Sequence, residues 1–125
     1  MSNQNMGTCN EEVKLIFACS GAADVGEIAD QAARKMVRDG VGRMICIAGI
    51  GGRVSGIMKS TESASMVLAI DGCPLNCVKN SLELAGFSKF EHLQLADLEM
   101  TKGKTEVTEE NIAKVSAQGA KKLAV

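Results

Sequence analysis

The stretch from Val67 to Gly86, VLAIDGCPLNCVKNSLELAG, sets Cys73 and Cys77 on either side of the chain's only proline, where an apolar run gives way to a helical pattern. Cys19 and Cys46 stand beside two other apolar runs, and Cys19, Cys46 and Cys73 are evenly spaced along the chain. The fifth cysteine, Cys9, lies in a polar tail and has no assigned role. Three chemistries suit such a set. Four thiolates gathered at one point make the tetrahedral sulfur site that zinc favours, with Zn–S near about 2.3 Å. The same donors suit an iron–sulfur cluster. Alternatively, Cys73 or Cys77 alone acts as a nucleophile at a helix start, where amide groups and the helix dipole favour the thiolate form. It would then carry sulfur or exchange disulfides. Pro74 has no N–H, so the amides would come from Leu75, Asn76 and Cys77. Against all three stands plain packing, because free cysteine is among the most buried residue types.

The chain has 125 residues, 46% of them apolar, enough for one domain with a core. Aromatic residues make up only 2%, with no Trp and no Tyr, so the core must be built from Ala, Val, Ile, Leu and Met. That composition removes the stacking platforms of single-stranded nucleic-acid binders. The net charge of -1 and the absence of a basic run exclude a nucleic-acid footprint. No apolar stretch approaches the roughly 20 residues of a membrane span. The polar start MSNQNMGTCNEE lacks the hydrophobic stretch of a signal peptide. The expected location is therefore cytoplasmic, where reducing conditions turn cysteines toward metal or thiol chemistry. No partner other than a metal ion is implied.

The elements that must position the cysteines follow from the apolar pattern. Residues 1–12 read as a flexible tail and 13–125 as a single domain. Val13–Ala18 reads as a buried strand. Val25, Ile28, Ala29, Ala32, Ala33, Met36 and Val37 fall on one face of a helix, with Asp24 and Glu27 at capping-box spacing and Gly40 closing it. Arg43–Ala48 reads as a second strand running into the glycine-dense loop GIGGRVSG, followed by a weaker helix over Ser55–Ser63. Ser65–Ile70 is the third strand. Pro74 suits the first turn of the next helix, whose buried stripe is Leu75, Val78, Leu82 and Ala85, and Gly86 ends it. EHLQLADL reads as a fourth strand and MTKGKTE as a loop. Thr108 caps a last helix carrying Ile112, Val115, Gly119 and Leu123. This alternation predicts an α/β three-layer sandwich: a mostly parallel, roughly four-stranded sheet with helices on both faces.

Parallel strands end on one edge, where ligands usually bind. Cys19 directly follows the first strand, and Cys73 follows the third. Cys77, one helical turn later, can share a face with Cys73. Cys46 falls inside the second strand, where geometry favours core packing. Asp71 reads equally as a group that supports a metal ligand or as an Asx cap of the turn at Gly72. His92, near the start of the fourth strand, is expected at the opposite end of the sheet. Asp24, Glu27, Glu109 and Glu110 read as helix-terminal charges. CIAGIGGRVSG invites comparison with a cysteine-phosphatase loop, but it holds one residue too many between Cys46 and Arg53. A dinucleotide fingerprint fails at Val54, where a third glycine is needed. The glycines of this loop make either a tight turn or an anion nest.

CSGAADVG after the first strand, CIAGIGG after the second and IDGCPLNC before the following helix together resemble the DGC-domain proteins, a family named for the Asp-Gly-Cys triplet, here Asp71, Gly72 and Cys73. The resemblance runs from about Val13 to Lys102, where LADLEMTKG fits the family's ending. It implies a zinc ion with four cysteine ligands, which map onto Cys19, Cys46, Cys73 and Cys77. It moves Cys46 from core residue to expected ligand, and it implies no reaction.

Overall fold

The computed structural model describes residues 12–124. Residues 1–11 of the tail, with Cys9, lie outside the described residues. Four strands, β1 (Lys14–Ala18), β2 (Arg43–Met44), β3 (Met66–Asp71) and β4 (Glu91–Gln94), form one sheet in the order β2-β1-β3-β4. Every pairing is parallel. Five helices surround it: α1 (Asp24–Arg38), α2 (Ile47–Gly51), α3 (Ser55–Ser63), α4 (Cys77–Leu84) and α5 (Glu109–Lys122). The expected α/β sandwich is what the chain forms.

The two central strands explain the continuous apolar runs. Successive side chains alternate between faces. On one face Ile16, Ala18, Leu68 and Ile70 meet Ile28, Ala29, Ala32 and Met36 of α1, with Val115 of α5. On the other, Leu15, Phe17, Val67 and Ala69 meet Ile50 of α2 and Val78 and Leu82 of α4. A strand covered on both sides has no polar face to show. Where α5 packs on α1, Gly119 leaves room for the end of the Met36 side chain, whose Sδ would lie 2.8 Å from a Cβ there.

Several local expectations are corrected. β2 stops at Met44, and the glycine-dense segment after it is helical over Ile47–Gly51. Gly49 is neither a turn nor a nest residue: it is buried, and a Cβ there would collide with Ile57. The capping box does not form, because Ala23 occupies the N-cap position with no side-chain bond. Instead the Asp24 carboxylate accepts the amides of Gly103 and Thr105 at 2.9 and 3.1 Å. Pro74 precedes α4 rather than opening it, since left-handed Asn76 (φ 55°) is its N-cap. Leu75 therefore falls outside the helix and is 66% exposed, not part of its buried stripe. β4 is only four residues long and passes into a 3-10 turn over Leu95–Leu98. Thr108 caps α5 as expected, its Oγ1 accepting the Asn111 amide at 3.1 Å. Among the described residues no helix is long and apolar enough to cross a membrane.

Candidate functional site

The strand order places the connections. α1 leads from β1 to β2 across one face, and α4 leads from β3 to β4 across the other. Between the carboxyl ends of β1 and β3 the chain departs in opposite directions. A crevice at such a switch point is where open α/β sheets bind ligands. Cys19 leaves β1 at this point, and Asp71-Gly72-Cys73 closes β3 beside it.

Each member of the triplet has a distinct physical task. Asp71 is 1% exposed. It accepts the amides of Val78 and Lys79 at 2.8 and 3.1 Å, two of the donors that the first turn of α4 leaves unpaired. It also bonds His92 Nε2 at 2.9 Å; Nε2 is the donor, because the carboxylate offers only acceptors. Gly72 lies against the first turn of α1, and a Cβ there would be 2.6 Å from the Val25 carbonyl oxygen. This absence of a side chain lets the Gly72 amide donate to Cys19 Sγ at 3.4 Å. Cys73, half-buried, begins the turn that leads to α4. That turn is fixed by Gln94, whose Nε2 donates to the Cys73 carbonyl at 3.3 Å and to Asn76 Oδ1 at 2.7 Å.

The other two cysteines stand at helix starts. Cys46 is the N-cap of α2, and Cys77 is the first residue of α4. Both are exposed. α2 packs on α4, and each begins beyond a strand's carboxyl end. The core reading of Cys46 fails because β2 is too short to enclose it. Cys73 and Cys77 do not share a helical face, because Cys73 is not in the helix. Cys19 and Cys46 line one cavity of about 800 Å³, which Cys73 and Cys77 do not line. Among the described residues, no three Cys, His, Asp or Glu side chains form a group able to hold a metal ion.

His92 is placed differently from expectation, and Arg53 stands apart from Cys46, unlike a phosphatase arginine. His92 is not at the far end of the sheet: it pairs with Ala69, two residues before Asp71, and so shares Asp71's face. No local signal in the sequence gives this register: the four residues of β4 pair only with the last four of β3, Leu68 to Asp71. Arg53, compared above with a phosphatase arginine, lies beyond the far end of α2 from Cys46. Its guanidinium donates to the Ile50 carbonyl at 2.6 Å and to the Leu84 carbonyl at 3.3 Å, tying the end of α2 to the end of α4.

The DGC domain model matches residues 15–118, nearly the whole described chain. The protein belongs to the DGC-domain family. The chain is also 36% identical over 88 residues to the "Anaerobic and virulence modulator AnvM" of Pseudomonas aeruginosa, an alignment covering 70% of this chain and 67% of that protein. No solved structure matches. For this DGC-domain protein the family triplet coincides with the switch point. Asp71 and Gly72 are explained there by helix anchoring and backbone clearance, independently of any ligand.

Proposed function

We propose that this DGC-domain protein is a small metal-binding protein that holds one zinc ion through Cys19, Cys46, Cys73 and Cys77. One observation carries the reading: four thiols from three separate loops stand at a single edge of a parallel sheet, two half-buried and two exposed. The donor chemistry fits zinc. The amide of Gly72 aimed at Cys19 Sγ is the kind of supporting hydrogen bond that metal-bound thiolates take. Asp71 acts on the site through backbone: it fixes where α4 begins and so where Cys77 stands. The described arrangement does not bring three ligands together, so binding has to draw the loops inward. Metal affinity and local folding are then coupled. When bound, zinc supplies a cross-link between the connections of both sheet faces.

The reading of Cys73 or Cys77 as a lone nucleophile draws less support. It relies on the amides of Leu75, Asn76 and Cys77 at the start of α4; that of Asn76 is taken by the Cys73 carbonyl at 3.2 Å, and Cys73 itself lies outside the helix. Elemental analysis of the purified protein tests the proposal. One zinc per chain is expected, falling to none when all four cysteines are changed to serine. Full metal loading of that variant rejects the site. Iron with acid-labile sulfide and visible absorption, after purification without oxygen, replaces zinc by a cluster on the same ligands.

A further inference from the structure

The cavity on the α1 side of the carboxyl edge opens between the ends of β1 and β2. Its chemistry-bearing lining is Cys19, Ser20 and Cys46 from the strand exits, with Asp30, Arg34 and Arg38 from α1. Arg34 and Arg38 are one helical turn apart and leave the same face. Arg34 Nε donates to Asp30 Oδ2 at 2.8 Å, and Ser20 Oγ donates to Asp30 Oδ1 at 2.7 Å. Ser20 is left-handed, with φ 50°, a conformation that residues with a Cβ seldom adopt. Such strain persists where surrounding bonds hold it, and here its hydroxyl is tied to Asp30. Burial opposes ionisation of Asp30, but the hydrogen bonds from Arg34 and Ser20 and the Arg34 charge outweigh it. The carboxyl is held below its ordinary value. Asp30 thus fixes Arg34 through Nε and leaves both Nη groups available. Arg38 makes no ion pair among the described residues. Val37 and Met44 supply apolar wall.

We propose that this cavity binds a small organic monocarboxylate. Its carboxylate is held by Arg38 and the open edge of Arg34, its apolar body lies against Val37 and Met44, and its far end reaches the sulfurs of Cys19 and Cys46. Two guanidinium groups against one carboxylate leave a single positive charge to neutralise. A phosphate dianion would bring its second charge beside Asp30, where like charges repel. A largely apolar hollow with a few convergent polar groups is the usual form of a small-molecule site. The inference does not depend on metal at the cysteines.

Butyrate, butyramide and inorganic phosphate, titrated separately into the full chain while the amide resonances of Ser20, Ile47 and Ala48 are followed, test the proposal. Butyrate is expected to give saturable shifts with a Kd on the order of a millimolar. Butyramide should give none, and phosphate should bind at least fivefold more weakly. Arg38→Ala should weaken butyrate about fivefold, the effect of one partly exposed ion pair, and Arg34→Gln should act likewise. Iodoacetate carries the same charge as butyrate. In samples whose metal content is nil, it should, relative to iodoacetamide, alkylate Cys46 preferentially over Cys77, and butyrate should protect Cys46. Equal responses to butyrate and butyramide, tighter binding of phosphate, or unchanged affinity in Arg38→Ala overturns the proposal. Metal content measured on the same samples reports separately on the zinc reading.

Discussion

At the scale of single residues, Gly72 is fixed by space and not by conformation. It is not among the positive-φ glycines, yet a Cβ at this position would lie 2.6 Å from the Val25 carbonyl oxygen and 2.9 Å from the Gly26 amide nitrogen. Both neighbours are backbone in the first turn of α1, so neither can swing aside. Gly72→Ala is therefore expected to cost about 2–3 kcal/mol, as overpacking of a filled site does. Thermal unfolding should show the midpoint lowered by roughly 10 °C; an unchanged midpoint would mean that α1 can move away from β3 freely. The sequence marked Gly72 as a turn residue after Asp71 and as part of the family triplet, and neither reading points to this contact. Its contact partner lies far along the chain, and no local pattern announces it. His92 teaches the same lesson. Its type was legible, but its neighbour Asp71 depends on a strand register that a four-residue edge strand does not reveal.

At the scale of elements, the long periodic helix α1 and the two strands buried on both faces could be read directly, because burial imposes a regular apolar spacing. The short elements could not. Cys46-Ile-Ala-Gly-Ile-Gly has too few residues to show a period, and its apolar run looks like strand until α2 is seen packed on α4. Asp24 is the helix-terminal charge expected of it, in the first turn of α1, but the capping-box reading failed for a related reason: the cap spacing is local, whereas its carboxylate's partners are in the loop before α5. The amides of Gly103 and Thr105 that it accepts hold its carboxyl below the ordinary value of 3.8. A carboxyl lowered in the folded state stabilises fully above its unfolded value and loses that contribution as pH falls through the folded value. The 101–106 loop should thus detach from α1 on acidification below about pH 4, before the sheet unfolds. Amide exchange at Gly103 and Thr105 should accelerate there ahead of Leu68 and Ile70. In Asp24→Asn it should already be faster at neutral pH. Unaltered exchange at Gly103 in that variant would show that the loop is held by other bonds.

At the scale of the whole molecule, the cysteines differ in which layer they belong to. Cys19 precedes α1 on one face, Cys46 and Cys77 begin helices on the other, and Cys73 lies between them beside the switch point. A metal bound by all four would clamp both helical layers to one edge of the sheet and leave the opposite edge untouched. The coupling is quantitative: an ion present at about a thousand times its Kd adds about 4 kcal/mol to the stability of the state that binds it. Hydrogen exchange with and without added zinc should therefore show new protection in Cys19–Ala23, in Ile45–Ile47 and in Gly72–Val78 together. Exchange at Gly42, Ser65 and the Gly86–Phe90 loop, all at the amino-terminal edge, should not change. Protection confined to Gly72–Val78 would mean a site built on Cys73 and Cys77 alone, without the cross-layer clamp. Because Cys46 reaches this edge only through the early end of β2, Cys46→Ser is the variant that separates the two cases. It should remove the new protection at Cys19 as well as at its own loop, since the loops close on a shared ion or not at all.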